Sequence, residues 1–134
     1  MSRESVEKRS PLRLKLSCSV LYFVIDGSPG TRFTSGADQA AGMDWELDLG
    51  TPEQFDEIVM DSTDWPGDYA RGFEVQVSSN GTTWTTVDTG TGLGSPQSAA
   101  FTVQDAQYIK VTLTAPSTTN WWSMGEFLVF DSQQ

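Results

Sequence analysis

Apolar and polar residues alternate with a period of two along most of this chain, the pattern of strands buried on one face. Residues 43–49 put Met43, Trp45, Leu47 and Leu49 on one side and Asp44, Glu46 and Asp48 on the other. Gly50 and Pro52 end that run. Residues 55–60 follow, with Ile58, Val59 and Met60 continuous, as in a strand covered on both faces. Residues 61–71 are polar and carry Trp65, Pro66 and Gly67, which predicts a loop. Phe73, Val75 and Val77 alternate with Glu74 and Gln76. Asn80-Gly81 then predicts a hairpin turn, because both residues tolerate positive φ, and residues 84–87 form the return strand. The Gly, Thr and Ser of 89–96 predict another loop. Residues 100–103 and 108–114 read as two separate strands, the second alternating Ile109, Val111 and Leu113. A loop at 115–120 precedes the closing strand, 127–130. No window holds a 3.6-residue apolar period. About eight short strands with regular turns predict an all-β fold, an eight-stranded jelly-roll β-sandwich.

Composition narrows the chemistry. The chain has 134 residues, enough for one domain with its own core. It has no histidine and one cysteine, Cys18. Catalytic triads that need an imidazole, zinc sites built on His and Cys, and an internal disulfide are therefore excluded. Eight Lys and Arg stand against 18 Asp and Glu, a net charge of −10. Such a field opposes contact with nucleic acid or anionic lipid. The charge is uneven. Residues 1–20 hold five basic residues (Arg3, Lys8, Arg9, Arg13, Lys15) and two acidic ones, a net +3; the rest holds Arg32, Arg71 and Lys110 against 16 carboxylates, a net −13. The break divides the chain into an atypical basic segment, 1–20, and a domain, 21–134. The apolar run 16–25 follows basic residues as a secretion signal does. It passes straight into Asp26-Gly27 without a small-residue cleavage site, so a strand is the expectation. No apolar run is long enough to span a bilayer, and no membrane insertion is expected.

The order of the pieces carries a resemblance. The segment from Val24-Ile25-Asp26-Gly27 to Thr31-Arg32-Phe33 resembles the aliphatic-Asp-Gly, gap, Thr-Arg-Trp opening of discoidin (coagulation-factor C-type) domains. Trp45-Glu46-Leu47-Asp48-Leu49-Gly50 is similar to their next strand. Arg71-Gly72-Phe73-Glu74-Val75-Gln76-Val77 with Asn80-Gly81-Thr82-Thr83-Trp84 resembles their hairpin. Ala106-Gln107-Tyr108-Ile109-Lys110-Val111 and Trp121-Trp122-Ser123-Met124-Gly125-Glu126-Phe127 resemble their last two strands. The match runs over about residues 24–130 and is most similar to family-32 carbohydrate-binding modules, which bacteria append to secreted glycoside hydrolases. Residues 1–23 depart from the family, Phe33 stands where Trp is usual, and the terminal cysteine pair of vertebrate members is absent.

The resemblance implies a secreted, extracellular, monomeric module with a structural calcium ion and a sugar site on loops at one end. For calcium it points to Asp26, Thr31, Glu126, Phe23 and Ser28, side-chain oxygens and loop carbonyls of the kind Ca²⁺ takes. Read locally, Asp26 caps its own turn and Glu126 pairs with Arg32. For sugar it points to Trp121 and Arg71; Trp65, Asp68 and Asn120 are further candidates on the same two loops, with ordinary loop structure as their alternative. Consecutive strand residues face opposite sides, so Trp121 is assigned to solvent, where a flat ring stacks on a pyranose, and Trp122 to the core. The alternative buries both. Arg71 has a fork suited to sugar hydroxyls; its alternative is an ion pair with Asp68 or Asp61. Trp45 and Trp84 are assigned to the core. Galactose-binding relatives also use a histidine, which this chain lacks, leaving room for glucans or amino sugars. The function implied is non-catalytic binding of a poly- or oligosaccharide. The alternatives are protein adhesion at a cell surface, and a glycosidase with paired carboxylates, for which no cleft signature exists.

Overall fold

The computed structural model describes the backbone of residues 3–5, 12–13 and 19–24 and the whole of residues 33–132. Ten strands form: β1 (Arg3–Ser5), β2 (Leu12–Arg13), β3 (Ser19–Val24), β4 (Phe33–Asp38), β5 (Asp44–Asp61), β6 (Gly72–Ser78), β7 (Thr85–Thr91), β8 (Gln97–Leu113), β9 (Trp121–Met124) and β10 (Glu126–Asp131). Among the described residues there is no helix. The fold is the all-β sandwich expected, with pairing order β2-β3-β10-β5-β8-β6-β7 and a separate β4–β9 ribbon. The pairs are antiparallel except β1 with β5.

The long strands correct the sequence reading. The runs 43–49 and 55–60 are two halves of one strand, β5, and the runs 100–103 and 108–114 are parts of one strand, β8. They stay paired around a corner: Asp48 opposes Tyr108, then the register shifts and resumes at Glu53 opposite Ala106. Gly50 takes φ 86°, a conformation open to glycine, and its N–H donates to Asp48 Oδ1 at 2.8 Å. Gly50 and Pro52 therefore bend the strand rather than end it. β7 also runs on to Thr91, so the loop predicted at 89–96 begins at Gly92.

Beyond the corner the two halves double back and face each other. Trp45, Leu47 and Leu49 of the first half are buried, as are Phe55, Ile58 and Met60 of the second. Phe127 of β10, paired with the second half of β5, lies 4.7 Å from the Trp45 ring. Phe33 of β4 lies 6.2 Å from Trp45 and meets Trp122 of β9 edge-on at 5.4 Å. This row of rings anchors the ribbon to the core, and edge-on and tilted contacts suit the aromatic quadrupole. Trp84 corrects a second expectation. It is half-buried, with Lys110 Nζ 4.3 Å above its ring, outside the core.

Glu57 is the carboxylate the fold disfavours. Burial raises its pKa first, and the adjacent Asp56 carboxylate adds to the rise. Asp56 is itself held by the N–H and hydroxyl of Ser132. A raised folded pKa means stability that is fully present below the ordinary glutamate value and is lost as pH rises through the folded one. Glu57→Gln should therefore raise the melting temperature relative to the parent at about pH 7 and leave it unchanged near about pH 3, where both forms are neutral. Equal melting temperatures at both pH values would remove Glu57 from the acid-base balance of the fold.

Candidate functional site

The doubling back sends both ends of the β5–β8 pair to one end of the sandwich: Asp44 opposes Thr112, and Met60 opposes Gln97. Loops 39–43, 62–71, 92–96 and 114–120 therefore meet there. Their joint is Gln39, a residue the sequence reading did not single out. It is 2% exposed, and its Nε2 donates to the carbonyls of Tyr69 (2.8 Å) and Trp121 (3.1 Å). Its Oε1 accepts from Arg71 N at 3.1 Å. Its own N–H donates to Asn120 O, and its carbonyl accepts from Ser117 N. One neutral side chain so pins three segments with every strong polar group satisfied.

Arg71, half-buried, donates through Nη1 to Tyr69 O (2.7 Å) and through Nη2 to Asn120 Oδ1 (2.9 Å). Its guanidinium lies 3.8 Å over the Tyr69 ring. Both of these donors go to neutral oxygens rather than to a carboxylate. Asp61 Oδ1 instead accepts from Thr63 N and Thr63 Oγ1. Asn120 Oδ1 also accepts from Thr119 Oγ1 at 3.0 Å.

Asp68 and Trp65 dock their loop onto the ribbon. Asp68 Oδ2 accepts from Ser123 Oγ at 2.6 Å, and Asp68 O accepts from Ser123 N at 3.0 Å. Trp65, half-buried, lies against Gly125: a Cβ there would sit 3.1 Å from Trp65 Cζ3. Trp122 is 1% exposed and Trp121 is 42% exposed, so the tandem tryptophans face opposite ways.

The ribbon adds a carboxylate beside Trp121. β4 and β9 pair Phe33 with Met124 and Thr34 with Ser123, then the register shifts so that Asp38 opposes Trp121. The irregularity spans residues 35–37, where Gly36 has φ 68° and Ser35 Oγ accepts from Trp122 N at 3.0 Å. Residues directly opposed in an antiparallel pair share a face, with Cβ atoms about 5 Å apart. Bulges commonly re-aim a side chain in this way. Asp38 is exposed. It lies in a Gly-Ala-rich stretch where regular pairing would have put Gly36 opposite Trp121, so no sequence pattern marked it.

Of the residues expected to hold calcium, Asp26, Ser28 and Thr31 lie outside the described residues, as does Arg32. Phe23 is in β3 opposite Leu128 of β10, and Glu126 begins β10. Val24 pairs with Phe127 and Phe33 with Met124. Both ends of segment 25–32 thus flank Gly125 and Glu126. Among the described residues no group of three or more His, Cys, Asp or Glu could hold a metal.

The fold has counterparts among known proteins. No curated protein sequence matches the chain. Chitosan-binding module 1 of a chitosanase/glucanase from Paenibacillus sp. IK-5 is similar at 33% identity and TM-score 0.66, over 78% of this chain and 79% of that one. Module 2 of the same enzyme, solved in complex with chitotriose, is similar at 29% identity and TM-score 0.66, over 78% and 80%. The family 32 carbohydrate-binding module of C. perfringens NanJ, in complex with galactose, shares the fold at 21% identity and TM-score 0.68, over 80% and 81%. The F5/8 type C domain family matches residues 17–127, most of the length over which the jelly roll is described. The chain belongs to the F5/8 type C, or discoidin, domain family.

Proposed function

We propose that this domain is a non-catalytic carbohydrate-binding module whose ligand is an oligosaccharide bearing protonated amino groups. The observation that carries the reading is the exposed Trp121 with the exposed Asp38 directly across the ladder. The indole offers a flat apolar face to the C–H side of a pyranose. The carboxylate beside it accepts charge-assisted hydrogen bonds from an ammonium group. Arg71 and Asn120 are tied to each other and to the Tyr69 carbonyl, so they stiffen the floor and present their remaining donors to sugar hydroxyls. The similarity to chitosan-binding modules supports the same class, since chitosan is a polymer of glucosamine. The net charge of −10 favours a cationic ligand. Every loop of the site comes from one chain, so a monomer is sufficient. The domain acts outside the cell, holding an attached enzyme or a cell surface against a polysaccharide by raising effective concentration.

A calcium ion bound by segment 25–32 and Glu126 completes the reading. Asp26, Ser28, Thr31 and Glu126 offer hard oxygen donors, with a loop carbonyl near Phe23, a set that suits Ca²⁺. The support is the pairing that brings both ends of that segment to Glu126. The ion supplies cross-linking of the segment to β10 and takes no part in sugar contact.

Two experiments test these readings. Titration calorimetry with glucosamine and N-acetylglucosamine oligomers should give a weak site for the former, as expected of a shallow, well-hydrated surface. Trp121→Ala should lower affinity about tenfold or more. Asp38→Asn should lower glucosamine affinity about fivefold to tenfold and leave the acetylated ligand unchanged. Equal losses for both ligands would refute the amino-group reading, and no glycan binding by the folded domain would turn the function towards protein adhesion. In thermal melts, millimolar calcium should raise the melting temperature relative to EDTA through preferential binding to the folded state. Asp26→Ala should abolish that difference; a calcium shift that survives in the variant would move the ion elsewhere.

A further inference from the structure

Among the described residues three large apolar side chains are exposed, Leu93, Val103 and Trp121, and two of them stand on the loop end. Leu93 is 93% exposed, and its loop is firmly built. Gly92 N donates to Arg71 O at 2.9 Å, and a Cβ at Gly92 would lie 1.7 Å from Ala70 O. Ser95 Oγ accepts from Ser62 N at 2.8 Å. Gln97, 8% exposed, clasps Ala70 in both directions, through Oε1 from Ala70 N (3.1 Å) and Nε2 to Ala70 O (2.9 Å). An apolar side chain held in water by so many backbone contacts adds nothing to the core.

Beneath Leu93 runs a groove of about 450 Å³. Phe73 lies under it against Gly90, where any Cβ would collide with the ring at 2.5 Å. Asp88, Ser95 and Ser98 line it, and no Lys or Arg does. The loop that carries Leu93 is bonded to the loops of the site already described: Gly92 N donates to Arg71 O, and the Arg71 side chain holds Asn120, the residue before Trp121.

We propose that this groove is a second saccharide subsite, which takes further units of the chain whose first unit stacks on Trp121. The inference rests on the carbohydrate reading above and deepens it: the ligand is an extended oligosaccharide rather than a terminal sugar. Leu93 supplies the apolar surface for pyranose C–H groups, over a floor closed by the buried Phe73. Asp88 and the serine hydroxyls supply acceptors. A carboxylate without a basic collar suits an amino sugar and opposes an anionic lipid surface.

The test compares glucosamine oligomers of two and six units by calorimetry on the parent domain, Leu93→Ser and Asp88→Asn. Leu93 is solvent-exposed, so its variant should melt as the parent does. The six-unit ligand should bind more tightly than the two-unit ligand, and Leu93→Ser should weaken only the former, by about fivefold. Asp88→Asn should act in the same direction. Equal affinity for both lengths, or a Leu93→Ser variant indistinguishable from the parent on the long ligand, overturns the second subsite while Trp121→Ala still reports on the first. Failure of both lengths to bind the parent overturns the carbohydrate reading and this one with it. Capture of the parent by phosphatidylserine vesicles that Leu93→Ser abolishes would replace the saccharide with a lipid surface.

Discussion

The loop end depends on one constraint: β5 and β8 must remain paired while they turn a corner. The bend frees backbone groups from the ladder, and each needs a new partner in the protein or in water. Here the partners are local. Gly50 supplies the positive φ, Asp48 Oδ1 accepts both its N–H and Gln107 Nε2, and Glu53 accepts the hydroxyl of Thr51. Because the corner lies at the far end, both halves of each strand finish at the near end. The segments that enter and leave them are thereby gathered into one surface. Trp45 against Phe127 then closes the two layers, and the Phe33 and Trp122 rings carry that packing out to the ribbon that bears Trp121.

Much of this was legible in the chain. The two-residue period found the buried faces of the first half of β5, of β6 and of the last part of β8, since burial on one side of a strand leaves a local trace. The tandem tryptophans were separable for the same reason. The corner was not legible. Gly and Pro punctuate a chain in the same way whether they end a strand or bend it, and only the partner strand decides. Trp84 misled for a related reason. Alternation places it on a face, but whether that face is covered depends on what lies across from it, and there Lys110 rather than the core meets the ring.

The site was half legible. Arg71 and Trp121 were marked by family pattern, Asn120, Asp68 and Trp65 by the loops they stand on, and the five gather at one end. Two of them have firm structural duties there: Asp68 docks onto Ser123, and Trp65 covers Gly125. Asp38 and Gln39 carried no signal, because their positions follow from an irregular pairing in a stretch of small residues. A bulge is a decision between two strands, not a property of either.

The choice of a neutral clasp has an electrostatic consequence. An ion pair could have joined the same segments, but it would place a cation at the surface beside Trp121 or cost desolvation in the interior. Gln39 joins them without charge. Arg71 spends two donors on Tyr69 O and Asn120 Oδ1 and lies with its face on an aromatic ring. The carboxylate of Asp38 is left towards solvent, across the ladder from the indole. A site assembled in this way is already ordered before a ligand arrives, so binding loses little conformational entropy.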